Sequence, residues 1–516
     1  MVANVRSAFP VGISMLFSML VLVYVTSTAG AVASLGVAIL AGVGLVMVLW
    51  PEMATLAVVF VVYSNLTVVA VKSSQLSEWV AALGALPLSL PLVSYLLLRR
   101  ERIKAGRPLV LMLAFLLCLL LSSFFVKDPN LAAERIVTYL TEGLLLYFLV
   151  FNVIRSLTTL RRVMWVLVLG AAFLGSLSLY QAGTGAYDQQ FGGLAQRNLS
   201  LEDEAEETGK YSSPQGAPVL LSDRAGGPLG SPNRYAQNEL MILPFAVFLL
   251  WHEKSRLRRL VAAGSAVLIV AAVILSYSRG AFVTLAVLLL LLALVQRRRR
   301  WPVLVGGALV FVLVVAVAPG YRERLATLQG ARGLFSNQAP EQPDAVTRGR
   351  ATEMLAALNV FRDHPIFGVG PGQYSPFYSI SYHMNPEIAF RYIPKSRRAH
   401  NLYAELAAET GILGLTVFCS IFSWLLYRLW QARRRWARSR PDLANLATTF
   451  VFSIAAYLGT AMFLHLSYER YYWLLLAAAT AALQIGSAEY SSMRARQFGL
   501  AHKCAITCCG WPTIQD

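Results

Sequence analysis

The stretch LVLMLAFLLCLLLSSFFV, residues 109 to 126, contains no charged residue. An apolar run of this length spans the roughly 30 Å hydrocarbon core of a bilayer when it forms a helix. Similar runs recur along nearly all of the 516 residues, of which 57% are hydrophobic and only 14% charged. Soluble domains do not have such a composition. The sequence therefore predicts an all-α, polytopic integral membrane protein.

The apolar runs predict about 12 to 14 transmembrane helices. The predicted spans are residues 10–30, 32–50, 53–72, 79–98, 109–126, 136–154, 163–183, 238–252, 260–277, 281–296, 302–319, 411–431, 445–464 and 471–488. The first run has no polar cleavage region with small residues, and another run follows almost at once. We interpret it as a retained helix and not as a signal peptide.

Basic residues explain the net charge of +18 and indicate the orientation of the chain. They lie in short loops that follow alternate spans, and not in one domain, so they do not indicate a nucleic-acid partner. The clusters are Arg99, Arg100, Arg102, Lys104 and Arg107; Arg155, Arg161 and Arg162; Lys254, Arg256, Arg258 and Arg259; Arg297 to Arg300; and Arg428, Arg433, Arg434, Arg435, Arg438 and Arg440. The positive-inside rule places all of them, and with fourteen spans both termini, in the cytoplasm.

Two loops on the other side are too long for simple connections. The resulting segments are N-terminal transmembrane helices (1–183), an outer loop (184–237), transmembrane helices (238–319), a large outer loop (320–410), C-terminal transmembrane helices (411–490) and a cytoplasmic tail (491–516). The large outer loop is expected to bear short amphipathic helices. Residues 352–362 have helical apolar spacing, which predicts such a helix on the outer membrane surface.

The stretch RAHNLYAELAAETGILGL, residues 398 to 415, lies where the large loop meets a new span. His400 is placed at the boundary of water and lipid, and an ordinary histidine pKa near 6.5 suits it to accept a proton. The alternative is a histidine that only caps the helix. Asn401 and Gly411 can share a helical face with the alanines between them, and Glu405 either orients His400 or faces water.

Arginines are depleted on the outer side of membrane proteins, yet this chain has several there. They are Arg279, Arg348, Arg350, Arg391, Arg397 and Arg398. A planar guanidinium suits phosphate oxygens, so an anionic ligand is one explanation. Pairing with lipid headgroups is the other, and we favour it for Arg397 and Arg398. Arg279 follows a span with almost no loop, at a depth where charges tend to be functional.

Two further groups have weaker patterns. Glu142 lies within a predicted span and indicates either a functional acid or a hydrogen bond between helices. Five cysteines predict no disulfide framework. His502 with the cysteines of the tail fits no common zinc spacing, and no metal site is expected.

These residues resemble the O-antigen ligase superfamily of bacterial membrane glycosyltransferases. The family pattern of His, then Asn, Ser or Gln, nine residues and Gly-x-x-Gly is present as His400, Asn401, LYAELAAET, Gly411 and Gly414. GSPNRYAQNELMILP with Asn233, SRGAFVTLAVLLLL and GRATEMLAALNVFRDHPIFGVGPGQY are similar to further family landmarks. The resemblance covers about 225–430, whereas the loop at 184–226 departs from it as a probable insertion.

The resemblance implies transfer of a glycan from an undecaprenyl (polyprenyl) diphosphate carrier to an acceptor at the periplasmic face of the inner membrane. His400 would be the catalytic base. Arg350, Arg279 and, more weakly, Arg322 would bind the diphosphate, with support from Asn401, Glu405, Gly411, Gly414 and Asn233. The first outer loops contain no paired acidic motif, and the acidic cluster at 202–207 lies in the probable insertion, so we expect arginine in place of a metal and no cofactor.

The sequence does not decide which acceptor molecule receives the glycan. An O-antigen ligase uses lipid A core, which we favour from the form of the His-centred pattern, whereas an O-antigen or exopolysaccharide polymerase uses another carrier-linked glycan. Transfer to protein hydroxyls is a third reading. A polysaccharide or lipid transporter would need charges near the middle of the membrane and broken helices in both halves, which the first half of the chain largely lacks.

Overall fold

The structure is a computed structural model that describes residues 42–74, 87–196, 224–296, 301–308, 345–388, 390–393, 395–464 and 470–508. Within these ranges the chain folds into helices and loops and forms no β-strand. The predicted span 10–30 lies outside the described residues, as do most of 32–50 and of 302–319. The predicted all-α, polytopic architecture is confirmed.

The helices take the following bounds. They are α1 (Gly42–Leu49), α2 (Pro51–Tyr63), α3 (Leu66–Ser74), α4 (Ser89–Leu98), α5 (Arg107–Ser122), α6 (Pro129–Val153), α7 (Leu157–Thr184), α8 (Pro232–His252), α9 (Arg256–Leu275), α10 (Arg279–Val295), α11 (301–308), α12 (Ala345–Asp363), α13 (Ser379–His383), α14 (Leu402–Trp436), α15 (Pro441–Thr460) and α16 (Arg470–Cys508). A 3-10 turn, Ala461–Phe463, extends α15.

Seven helices in the described part of the chain are long and apolar enough to cross a membrane. They are α5, α6, α7, α9, α14, α15 and α16. The number becomes eight if α1 and α2, which are bent by 115° relative to each other, form one span. α10 has only 17 residues. α8 begins with a polar turn, so its apolar part is too short to cross a membrane. Part of the difference from the predicted number thus comes from helices that are short or polar at one end.

The predicted span 53–72 is interrupted, which corrects the sequence expectation. α2 ends at Tyr63, and Asn65 adopts a left-handed φ of 59° before α3 begins. Asparagine tolerates that conformation better than most residues. The Asn65 amide also donates a hydrogen bond to the Pro228 carbonyl at 3.0 Å. A contact with a distant loop therefore stabilises a break that apolar periodicity does not reveal.

Helix α8 lies inside the bundle and packs against α7, α9 and α15. Its polar opening residues are buried along with its apolar ones, including Gln237 and Asn238. The Gln237 amide donates to the Tyr457 carbonyl of α15 at 3.1 Å, which satisfies one of these buried groups. α14 packs on α15, α5 and α12, so it joins the bundle to the large loop.

The basic loops converge at one end of the bundle, here called the basic end. Glu253, between α8 and α9, lies 3.9 Å from Arg161 of α7 and 3.6 Å from Arg258 of α9. Asn445 of α15 contacts His252 at 3.0 Å at the same end. Arg161 and Arg258, from two of the clusters that the sequence assigned to one side of the membrane, thus lie beside the same carboxylate.

The opposite end carries the start of α10, the start of α14 and the end of α15. Asn401, just before α14, donates to the Met462 carbonyl at 3.1 Å. On the α10 side, Gly280 packs so closely on Phe463 that an added Cβ would lie 2.7 Å from its ring. The 3-10 turn at the end of α15 therefore connects the His400 loop with the helix that begins at Arg279.

Helix α12 is longer than the predicted amphipathic helix and packs on protein. Its buried Ala357 and Val360 form a small core with Ala404 and Ala408 of α14. This face of the helix therefore packs on α14, whereas Leu358 of the same helix stays exposed, and its place at the membrane surface stays a prediction. The contact covers the entrance of α14 and positions the site.

Candidate functional site

His400 lies immediately before α14 with a left-handed φ of 45°. The next residue, Asn401, caps the helix: its side-chain oxygen accepts hydrogen bonds from the amides of Tyr403 and Ala404, each at 3.0 Å. Asparagine is a preferred N-cap residue because it satisfies amides that the helix leaves without partners. Asn401 therefore fixes where the chain turns, and the His400 side chain stays 20% exposed at that turn.

Glu353 of α12 places its carboxylate beside the His400 ring. Its Oε2 lies 3.7 Å from His400 Nε2, while its Oε1 accepts from Arg397 at 3.3 Å. The Glu353 side chain is only 1% exposed. The two groups lie beyond hydrogen-bond distance, but a buried carboxylate this close stabilises the protonated imidazole and can orient it as a general base. Sequence reasoning missed Glu353, because its only local signal was a place in an otherwise apolar helical pattern.

Glu405 stabilises the residues that lead into His400. Its carboxylate accepts from Arg398 Nε at 2.8 Å and from the Ala399 amide at 3.1 Å. The side chain is 1% exposed, so the alternative of a glutamate facing water is excluded. It acts on His400 through the backbone and not by direct contact.

Arg397 and Arg398 form ion pairs with protein carboxylates, with Glu353 and Glu405 respectively. The interpretation of these two arginines as headgroup contacts is therefore corrected. They hold the loop before α14, since each joins a loop residue to a buried acid on a helix.

Gly411 breaks α14 where the stretch 365–370 docks against it. Its φ and ψ are 63° and −166°, a combination that essentially only glycine adopts. The amides of Val369 and Gly370 donate to the carbonyls of α14 residues 408 and 409, each at 2.9 Å, and the Ile412 amide donates to the Pro365 carbonyl at 2.8 Å. The backbone groups released by the break are thus paired with residues 365–370.

Gly411→Ala is expected to destabilise the folded protein. An added Cβ would lie 2.2 Å from the Ile366 carbonyl oxygen, and the backbone strain alone costs about 1–3 kcal/mol. Thermal unfolding of the purified protein in detergent measures the loss. Gly264→Ala is the matched control, because a Cβ added at that position would have nothing within 4 Å. Equal unfolding temperatures for the two variants would contradict this explanation of the glycine.

Gly414 lies within the regular part of α14 after the break. A Cβ there would lie 2.1 Å from Thr410 Oγ1, which donates to the Leu406 carbonyl at 2.7 Å. Gly414 therefore leaves room for a side chain that satisfies a carbonyl just before the break. Both glycines of the pattern have structural roles that place His400.

Arg279 is the first residue of α10, after a tight turn in which Tyr277 has a φ of 51°. The Ser278 side chain accepts from the Ala281 amide at 3.4 Å and so caps α10. With Gly280 against Phe463, this turn reaches the same 3-10 turn that Asn401 contacts. The structure thus brings the Arg279 and His400 elements to one end of the bundle.

Arg350 lies on α12, three residues before Glu353 and so on a neighbouring part of the helix surface. An added Cβ on Gly349 would lie 3.5 Å from the Arg391 side chain. The Arg391 amide also donates to Thr352 Oγ1 at 3.3 Å. Arg391 therefore lies against the part of α12 that carries Arg350.

Asn233 contacts an arginine that sequence reasoning did not single out. Its side-chain oxygen accepts from Arg224 Nη2 at 3.2 Å. Arg224 is only 5% exposed, and its Nε donates to the Ser276 carbonyl at 2.9 Å, in the turn before Arg279. Asn233 thus supports the Arg279 turn through Arg224. Arg322 lies outside the described residues.

Glu142 pairs with Arg470 of α16 at 2.5 Å. Arg470 also approaches Thr67 Oγ1 at 3.5 Å. Of the two readings left open for this acid, the ion pair between helices is the one that the structure favours. Charge pairing makes a carboxylate tolerable within a span.

His383 lies buried at the end of α13, near Arg397. Burial, and then the charge of Arg397, lower the pKa of its imidazole to about 4. The neutral ring is therefore part of the folded state, whereas an exposed histidine titrates near 6.5.

Acidification is expected to destabilise this loop. Below pH about 6.5 the unfolded chain binds a proton at His383 that the folded chain does not bind until pH about 4, so stability falls through this window. Thermal unfolding of the wild type between pH 7 and 4.5 measures the effect. His383→Gln removes the titrating group, and an unchanged pH dependence in that variant would assign the acid sensitivity elsewhere.

The arrangement combines a partly exposed imidazole, a buried carboxylate beside it and the Arg397 guanidinium on that carboxylate. Such a set can remove a proton from a hydroxyl and stabilise a departing anion. Among the described residues, no three His, Cys, Asp or Glu side chains are grouped so that they could hold a metal ion.

Comparison with known families matches residues 264–419 to the family model described as O-antigen ligase. The matched range includes Arg279, Arg350, Glu353 and His400. It ends within α14, beyond Gly414. No curated protein sequence matches the chain significantly.

Proposed function

Because residues 264–419 match the O-antigen ligase family, we propose that the chain transfers a glycan from an undecaprenyl diphosphate carrier to an acceptor, as an O-antigen ligase that uses lipid A core. The observation that carries the proposal is the placement of His400 beside the buried carboxylate of Glu353. The acceptor would react on the periplasmic side of a bacterial inner membrane. The basic end, which the positive-inside rule assigns to the cytoplasm, lies opposite this site.

In the proposed reaction an imidazole nitrogen of His400 takes the proton of the acceptor hydroxyl. The hydroxyl oxygen forms the new bond to the anomeric carbon of the glycan, while the bond from that carbon to the carrier diphosphate breaks. The electron pair of the broken bond leaves with the diphosphate. Direct displacement of this kind inverts the anomeric configuration. Glu353 would orient the ring and balance the charge that it acquires.

Arg350 and Arg279 would bind the diphosphate, with Arg322 as a weaker candidate. Guanidinium groups pair with phosphate oxygens in two parallel hydrogen bonds and keep their charge at any relevant pH. We propose that they take the place of the divalent metal that many enzymes use on such leaving groups. Asn233 would support Arg279 through Arg224, and Asn401, Glu405, Gly411 and Gly414 would position His400.

Reconstitution of the purified full chain with polyprenyl-diphosphate glycan, in the presence of EDTA, tests the proposal. Transfer that requires added lipid A core supports a metal-independent ligase. Lengthening of the carrier-linked glycan without core would indicate a polymerase and not a ligase. Transfer to an added protein acceptor would indicate a protein oligosaccharyltransferase. Loss of transfer in EDTA with recovery in Mg²⁺ would contradict the role given to arginine. If no acceptor yields a product, the transporter alternative gains support.

Glu353→Gln is expected to lower kcat on the order of 10²-fold, because the amide keeps the volume but removes the charge that orients and stabilises the imidazole. The KM for the lipid-linked donor should change much less, since the diphosphate is assigned to other residues. Steady-state kinetics of the reconstituted protein separates the two. Glu387→Gln, an exposed acid of the same loop, is the control. A similar kcat in both variants would exclude the orienting role.

A further inference from the structure

A cavity of about 700 Å³ opens at the basic end between α7, α8, α9 and α15. It is called the basic-end cleft here. It lies at the far end of these helices from His400 and is not part of the site described above. Its size is within the range of small-molecule and cofactor sites, about 300–1,000 Å³.

The inner walls of the basic-end cleft are apolar. Met164 of α7, Phe248 of α8, Val261 of α9 and Leu446 of α15 all line it. Four helices thus contribute to one hydrocarbon surface that leads away from the charged loops. A soluble anion would leave this apolar surface exposed to water, whereas an acyl chain would cover it.

The rim of the basic-end cleft is charged and carries a positive surplus. Two charges at the rim are balanced locally: Arg162 pairs with Glu52 at 2.5 Å, and Asp442 with Arg440 at 2.8 Å. The surplus therefore comes from the other two arginines that line the cleft, Arg161 and Arg258.

Glu253 lies between Arg161 and Arg258 at the rim. Its oxygens lie 3.9 Å and 3.6 Å from the two guanidinium groups, beyond hydrogen-bond distance. Glu253 is also buried and accepts a hydrogen bond from Trp165 Nε1 at 3.2 Å. The carboxylate is thus held in place, and one positive charge of the two arginines is left for an anion.

We propose that the basic-end cleft binds a phospholipid with an anionic headgroup. Its phosphate would pair with the exposed sides of Arg161 and Arg258, away from Glu253, and one acyl chain would extend along the wall formed by Met164, Val261 and Leu446. Basic pockets between helices at the cytoplasmic side of membranes are suited to such headgroups. The binding does not depend on glycan transfer, because the two sites lie at opposite ends of the bundle.

Native mass spectrometry of the full chain in detergent tests this site. Phosphatidylglycerol and phosphatidylcholine with identical acyl chains are added in turn, and bound lipid is counted. Wild type is expected to retain phosphatidylglycerol in preference. Arg161→Gln with Arg258→Gln should weaken that binding roughly 10- to 30-fold, given the usual contribution of each arginine near an anionic lipid. Arg256→Gln with Arg259→Gln, exposed residues that do not line the cleft, should leave it unchanged.

Two further arms distinguish the source of the anion and the role of the wall. Inorganic phosphate in millimolar amounts should not displace the lipid. Full displacement would show that the cleft binds small anions and would contradict a lipid site. Val261→Trp places a bulky side chain in the apolar part of the cleft without a change of charge, and it should also reduce lipid retention. Equal retention of both lipids by wild type, or an equal loss in the two arginine pairs, would overturn the proposal.

Discussion

His400→Ala is expected to abolish glycan transfer while the protein still folds and inserts. A positioned base contributes roughly 10²–10⁴-fold to a proton-transfer reaction. The ring is 20% exposed, so the space that its loss leaves is open to water. The rate of product formation in reconstituted vesicles measures the effect, with equal amounts of wild type and variant.

Two variants make this result interpretable. His364→Ala removes an exposed histidine of the same loop and should retain activity. His400→Asn tolerates the left-handed conformation of this position better than alanine, so it separates loss of the base from backbone strain. Normal transfer by a well-folded His400→Ala or His400→Asn protein would remove His400 from the mechanism.

Arg350→Lys is expected to cause a severe loss of transfer, on the order of 10²-fold or more, although the charge is kept. Lysine presents a point charge and cannot form the two parallel hydrogen bonds of a guanidinium with phosphate oxygens. Kinetics with the lipid-linked donor should show both a higher KM and a lower kcat, because the diphosphate is bound before the reaction and becomes more negative during it.

Arg362→Lys, at the exposed end of the same helix, is the control and should behave as wild type. The two variants change the same chemistry on α12 and differ in whether the arginine lies near Glu353. Near-normal activity of Arg350→Lys would show that other arginines bind the diphosphate. A parallel loss in both would indicate a general effect on α12.

Much of the site followed from short-range spacing. The His-Asn-x9-Gly-x-x-Gly pattern lies within one continuous stretch, and each of its residues has a local physical task. Asn401 caps α14 instead of lying on a shared face, and Gly411 breaks the helix with a conformation that a side chain would oppose. Such local roles can be inferred from the residue type alone.

The partners of these residues could not be predicted in the same way. Glu353 approaches His400 because α12 folds back on α14, and Arg224 supports Asn233 and the turn before Arg279 because three loops meet. Arg397 and Arg398 were interpreted as lipid contacts, since their sequence context contains no sign of the acids that bind them.

The sequence by itself determined that this is a helical membrane protein, since the transfer of an apolar run into lipid is a property of that run alone. It also determined the start and the break of α14, because caps and glycine conformations are local. The tertiary structure decided which acid lies beside His400, which arginines share its end of the bundle and which are neutralised by carboxylates. These choices depend on the packing of helices far apart in the chain, where a contact stabilises the fold only after both elements have been brought together.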